Sequence, residues 1–185
     1  MDEGKVLLVN VAKGRLGEDS ALLLGSLVVS TLALAAFSRA ELPADDRKPF
    51  FVYLDEFHNF TTLVLANMMS ELRKYGVGLT LAHQHMHQLE PDIRYAVLGN
   101  AGTLISFRVG PEDGFLLAQE FQPEFGVEDL LNLANHDIYL KLMIDGAPSR
   151  PFSATALNVE ALRGSAGTEL NRLPVAPESH FRPVK

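Results

Sequence analysis

Apolar residues gather in short runs separated by longer stretches of mixed polarity, and the two periods predict strands alternating with helices. Lys5 to Val11 (KVLLVNV) reads as a strand, followed by a turn at Lys13-Gly14-Arg15 and an uncharged helical run from Ser20 to Ser38. After a polar link with two prolines, Leu42 to Pro49, comes FFVYLDE, whose bulky residues suit a strand buried on both faces. Thr61 to Tyr75 reads as a helix with Leu65, Met68, Met69 and Leu72 on one stripe, stopped by Gly76. Gly78 to His83 is a third strand, Pro91 to Leu98 a short helix, and Thr103 to Val109 a fourth strand. Pro111 opens the helix PEDGFLLAQEF, and a shorter helix follows near Val127 to Leu133.

Strands and helices alternating at these spacings imply right-handed crossovers and a mostly parallel sheet with helices on both faces, an α/β fold. Ile138 to Ile144 and Phe152 to Leu157 flank the turn DGAPSRP and read as an antiparallel hairpin on the sheet edge. From Gly164 to Lys185 the chain is polar and Pro-rich, a tail beyond a folded unit spanning about residues 1–160.

The chain has 185 residues, 47% of them hydrophobic, enough for one domain with a real core. A net charge of -7 argues against broad electrostatic binding of nucleic acid by this chain alone. Without cysteine there is no disulfide framework and no thiolate metal site. The Ser20–Ser38 run approaches the length of a membrane span. Its serines, its lack of flanking Trp or Tyr, Asp19 at its start and Arg39 at its end fit a buried helix of a soluble domain better. No direct membrane insertion is therefore expected.

Ligands of parallel sheets collect at the carboxyl ends of the strands. All four expected strands end on polar side chains: Asn10, the pair Asp55-Glu56, the pair His83-Gln84, and Arg108. A carboxylate pair after a strand also suits a helix cap, but four polar ends together favour a site. There Asp55 suits Mg²⁺ held through a water, Glu56 the activation of a water attacking a γ-phosphate, and Gln84 the orientation of that water. Arg73 suits an arginine finger, although with Lys74 it equally suits the last turn of a helix. His58 and Asn59 fall just beyond the carboxylates. His83, His85 and His87 alternate, so two or three of them could share zinc. That spacing works only if the strand runs on to His87, and no nearby acid completes an H-E-x-x-H pattern.

Together VLLVNVAKGRLGED, FFVYLDEFHNF, ELRKYGVGLTLAHQ, QLEPDIRYAVLGNAGTLISFRVG and PEDGFLLAQEF resemble the conjugative coupling-protein ATPases of type IV secretion. Those are the TraD/TraG-like members of the HerA/FtsK branch of RecA-like P-loop NTPases. The resemblance covers Lys5 to Leu133. It implies a hexameric motor at the cytoplasmic face of the bacterial inner membrane. Such a motor hydrolyses ATP with Mg²⁺ to pump DNA or a relaxase-DNA complex, working with other type IV secretion components. By position Asp55 and Glu56 look like its Walker B pair, Gln84 like the motif that follows, and Arg73 like the finger reaching a neighbour's nucleotide.

One departure is plain. The phosphate-cradling G-x-x-x-x-G-K-[ST] does not occur: Gly4-Lys5 is followed by Val, and Gly14-Arg15-Leu16-Gly17 lacks the Lys-Ser/Thr. The family's usual membrane anchor is not seen either. The chain thus looks like the Walker B half of a motor domain, expected to neither bind ATP tightly nor hydrolyse it alone. The other reading is an inactive assembly or docking module derived from such a motor.

Overall fold

The structure is a computed structural model that describes residues 1–60 and 63–157, with side chains at all of these except 63, 64, 66 and 67. The expected tail and the start of the Thr61–Tyr75 helix lie outside the described residues.

Lys5–Val11 forms no strand. It runs as an exposed segment, with Val6 and Leu8 almost fully in solvent, into a four-residue helix α1 (Lys13–Leu16) where a turn was expected. Gly17, at φ 80°, breaks α1 from α2 (Glu18–Phe37), and Glu18 and Asp19 occupy the first turn of α2. This is the uncharged run, but it is packed on one face only. Ala21, Gly25, Val29, Ala33 and Ala36 recur every three or four residues and are buried, while Leu22, Leu23, Leu27 and Leu34 face outward. By length and composition the Glu18–Glu41 helix could cross a membrane, a test that the core helix of a soluble protein also passes.

After two single 3₁₀ turns, Ser38–Glu41 and Ala44–Asp46, the chain enters β1 (Phe50–Leu54). A 3₁₀ turn, Phe57–Phe60, leads to α3 (Leu63–Glu71), which tightens into 3₁₀ over Leu72–Tyr75 and ends at Gly76 in the left-handed region, φ 69°. β2 (Val77–Leu81) pairs in parallel with β1, Phe50 against Val77 through Leu54 against Leu81. Val52 points into the core, but Phe51 and Tyr53 are exposed, so β1 is covered on one face rather than two. Phe51 instead lies over Gly78, where a Cβ would come within 2.9 Å of its ring.

A 3₁₀ turn, Met86–Gln88, precedes α4 (Pro91–Asn100), which begins with proline at its first position. The fourth expected strand shrinks to β3 (Leu104–Ser106) and leaves the parallel pair. α5 (Pro111–Phe121) and α6 (Val127–Leu131) follow. β4 (Asp137–Lys141) then pairs antiparallel with β3 on one side. Past a small ribbon of β5 (Met143–Ile144) and β6 (Ala147–Pro148), β7 (Phe152–Thr155) closes the expected hairpin on the other side of β4. The fold is therefore α/β, with a parallel pair and a three-stranded antiparallel sheet where four parallel strands were expected.

Two apolar clusters hold these parts. The larger joins the small-residue face of α2, Val52, Phe57, Leu65, Met68 and Ile93. The smaller gathers Phe121, Leu130 and Leu133 against Tyr139, whose ring stacks on Phe125 at 3.8 Å between centroids.

Candidate functional site

The parallel register places the exits of β1 and β2 side by side. Ala82 N–H donates to the Leu54 carbonyl at 2.9 Å, and Phe57 N–H donates to the Ala82 carbonyl at 3.1 Å. Between these two bonds Asp55 and Glu56 are pushed out of the ladder. The Asp55 carboxylate accepts from the Glu56 N–H at 3.0 Å, and the Glu56 carbonyl accepts from both the backbone and side chain of Asn59 at 3.0 Å. Glu56 itself sits at φ 48°, a left-handed conformation that a glutamate adopts only when its surroundings enforce it.

That turn aims the Glu56 carboxylate across the strand ends. The Gln84 amide donates to its Oε1 at 2.5 Å, and His58 Nδ1 lies 3.4 Å from its Oε2. Residues 28 positions apart thus meet because β1 and β2 are neighbours in register. Asp55 is exposed at the mouth of an apolar groove of about 930 Å³ running between α2, β1 and the N-terminal segment. An exposed carboxylate at a strand exit is the hard oxygen donor that Mg²⁺ prefers, so the residues present fit that ion.

The remaining sequence candidates separate. Arg73 is exposed in the 3₁₀ turn before Gly76, at the entrance of β2, roughly 16 Å along the strand from its exit. Within one copy it does not meet Glu56. Asn10 is not at a strand end, and Arg108 follows a strand that pairs elsewhere.

The three histidines also part company. His83 turns inward and packs edge-on against Phe57, with ring centroids 4.8 Å apart. Burial pulls its pKa below the usual value of 6.5, with the Asp113 carboxylate pulling the other way and His58 adding to the depression. His85 and His87 face outward beside Asp113. Asp113 is buried, and its carboxylate accepts from Met86 N–H at 3.1 Å. The sequence analysis placed Asp113 only within the helix PEDGFLLAQEF and gave it no role. No local signal shows that α5 docks this residue on the loop leaving β2.

Set beside known proteins, residues 49–117 match a family model described as the TraM recognition site of TraD and TraG. No curated protein matches the chain. Among solved structures it is similar to the bacterial conjugative coupling protein TrwBdeltaN70 in its unbound form, with a TM-score of 0.58 and 14% identity over 73% of this chain and 37% of that one. It is also similar to the plasmid coupling protein TrwB in complex with the non-hydrolysable ATP analogue ADPNP, with a TM-score of 0.56 and 14% identity over 71% of this chain and 36% of that one. At such identities the likeness is one of fold, and this chain spans little more than a third of those proteins' length.

Proposed function

We propose, for a chain that belongs with the TraD/TraG-like coupling proteins, that Asp55, Glu56 and Gln84 form the water-activating half of an ATPase site in a DNA-translocating motor. The observation that carries this reading is the Glu56 carboxylate. It is held on a left-handed backbone by the Gln84 amide at 2.5 Å, where two parallel strands end together. Carboxylates in helix caps bond to the amides of their own helix. This one instead projects across the strand exits to the side chain of Gln84, in the segment leaving β2.

Asp55 would hold Mg²⁺ through a water, and the ion would neutralise charge on the β- and γ-phosphates of ATP. Glu56 then accepts the proton of a water lying against its carboxylate, and Gln84 keeps both carboxylate and water in line. His58, beside the second carboxylate oxygen, limits how far Glu56 can swing. The phosphate cradle is absent from the sequence, so a separate phosphate-binding loop has to complete the site. In a hexameric ring Arg73 would act on a neighbour's nucleotide, in keeping with its distance from the same copy's Glu56. The assembled motor would work at the cytoplasmic face of the inner membrane on DNA or a relaxase-DNA complex.

The test is Glu56→Gln in a polypeptide carrying both this chain and a phosphate-binding loop. ATP binding should persist while turnover falls about a hundredfold, the usual worth of a general base. Unchanged turnover would remove Glu56 from the mechanism.

A second reading has its own support. The matched family model is described by partner recognition, and α2 and β1 both carry exposed large apolar side chains. A docking module would bind a TraM-like partner of the DNA-processing complex with no dependence on Glu56 or Gln84. Binding of that partner, unaffected by Glu56→Gln, beside a complete lack of turnover would favour it.

A further inference from the structure

We propose that His85, His87 and Asp113 form a binding site for a divalent transition metal of the zinc type, which fastens the loop behind Gln84 to the start of α5. This does not depend on the nucleotide reading, because it uses none of the residues assigned there.

The sequence alone discouraged such a site, since three alternating histidines share a face only in a continuing strand. The structure solves the placement differently. His85 is extended, at φ -139° and ψ 120°, and the chain then turns through the 3₁₀ segment Met86–Gln88. Met86 is buried as the anchor of this loop, and the histidines on either side of it emerge together, their ring centroids 5.4 Å apart. His83 takes no part, being packed on Phe57.

The acid that the local sequence lacked arrives from α5. Asp113 has a side chain only 5% exposed, and its Oδ2 lies 3.7 Å from His85 Nδ1. Its other oxygen accepts from Met86 N–H. One atom from each of the three side chains falls within 4.8 Å of the others. A separation of 3.7 Å is too long for a hydrogen bond. Donors around a tetrahedral metal at bond lengths of about 2.0–2.2 Å sit roughly 3.4 Å apart. Half-exposed imidazoles can close that difference by small rotations, whereas the buried carboxylate is already fixed.

A buried carboxylate with a single N–H donor among the described residues is also under-compensated for its desolvation, and a cation answers that need. Two imidazoles and one carboxylate form a borderline donor set suited to Zn²⁺ and its neighbours rather than to Mg²⁺ or Ca²⁺. Glu112, whose Oε2 is 3.7 Å from His87 Nδ1, or a water supplies the fourth ligand. The same residues line a small open cleft with Gly110 and Pro111, which gives the ion a way in.

The experiment uses the whole chain, stripped with chelator and titrated with Zn²⁺ by calorimetry and with Co²⁺ by visible absorption. The expected result is one equivalent bound, a raised melting temperature, and Co²⁺ bands of a four- or five-coordinate nitrogen and oxygen site. His85→Ala and His87→Ala should each weaken binding by more than the roughly tenfold to hundredfold that loss of an outer-shell partner costs. Asp113→Asn should do the same while keeping an acceptor for Met86 N–H, so that the loop stays folded. His136→Ala, at an exposed histidine remote in sequence, should change nothing. No Co²⁺ spectrum with the unaltered chain would overturn the proposal. So would binding that survives His85→Ala combined with His87→Ala, which would assign the ion to another cluster.

Discussion

Gly25 offers a decisive test of how α2 seats on the strand exits. A β-carbon at this position would lie 2.2 Å from two carbons of the Phe60 ring and 3.2 Å from a third. Carbon atoms are comfortable at about 3.5–4.0 Å, so Gly25→Ala forces the ring back by more than an ångström. Two effects of opposite sign compete. Alanine in mid-helix is better than glycine by about 1 kcal/mol. Overfilling a packed contact costs about 1–3 kcal/mol. Phe60 ends the 3₁₀ turn that follows Glu56 and packs against the larger apolar cluster, so its retreat meets further side chains. The clash should therefore win, leaving Gly25→Ala less stable by about 1 kcal/mol, or about 2–4 °C in melting temperature for a chain of this size. The chain has no tryptophan, so urea unfolding is best followed by far-ultraviolet circular dichroism. Phe60→Leu trims the ring, and Gly25→Ala added to it should then be neutral or stabilising, a coupling of about 1 kcal/mol or more in the double-mutant cycle. If Gly25→Ala alone raises stability by the full helix-propensity gain, α2 does not sit on Phe60 as described.

Arg39 is 2% exposed, pairs with Asp2 at 2.7 Å and donates to the Lys48 carbonyl, yet its Nε and Nη1 find no partner among the described residues. Arg39→Ala should cost about 3 kcal/mol in urea unfolding through the cavity it leaves, whereas Arg39→Met should stay within about 1 kcal/mol, because the buried charge is only partly compensated. A loss for Met as large as that for Ala would show that the ion pair, which both variants remove, and not packing, holds this corner. His83 titrates below its usual value because it is buried, so the unfolded chain takes up its proton first as pH falls. The stability it contributes is complete above pH 6.5 and declines below that until the folded pKa is passed. Unfolding in chelator between pH 7.5 and 5 should show a steeper decline for the unaltered chain than for His83→Gln, and equal slopes would contradict the assignment. In the motor proposed above, Arg73→Ala subunits mixed with Glu56→Gln subunits should regain some turnover, since one interface can then pair the proposed base with the proposed finger, both intact. Mixed rings verified by mass that stay inactive at every ratio would return Arg73 to the role of a helix-end cation.

What the sequence made legible is what depends on a few adjacent residues. Proline at the first position of α4 and α5, Gly76 in the left-handed region after the 3₁₀ turn, and the DGAPSRP turn before β7 are local constraints, and each element appeared where its signal lay. The failures share another cause. KVLLVNV has the composition of a strand but forms no ladder, because β propensity favours a pleated surface without supplying the neighbouring edge. Leu104–Ser106 satisfied the same pattern and found its partner in β4, running the opposite way, since propensity carries no direction.

The site divides along the same line. The meeting of Glu56 and Gln84 was readable because a parallel crossover brings successive strand ends together. Nothing local foretold that a glutamate would take a left-handed backbone. Asp19 and Asp113 make the point most sharply. Both are acids in the first turn of a helix, where the dipole favours them, and nothing in their immediate neighbours distinguishes them. Asp19 ends in solvent, while the nearby cation Lys13 pairs with its neighbour Glu18 at 3.1 Å. Asp113 ends 4% exposed because α5 lays its first turn on the Met86 loop, where a backbone N–H and two imidazoles converge on the carboxylate. The dipole preference, worth less than about 1 kcal/mol at an exposed end, selects the residue type at both places. Docking of one helix on one loop, a contact 27 residues apart in sequence, decides which of the two acids acquires chemistry.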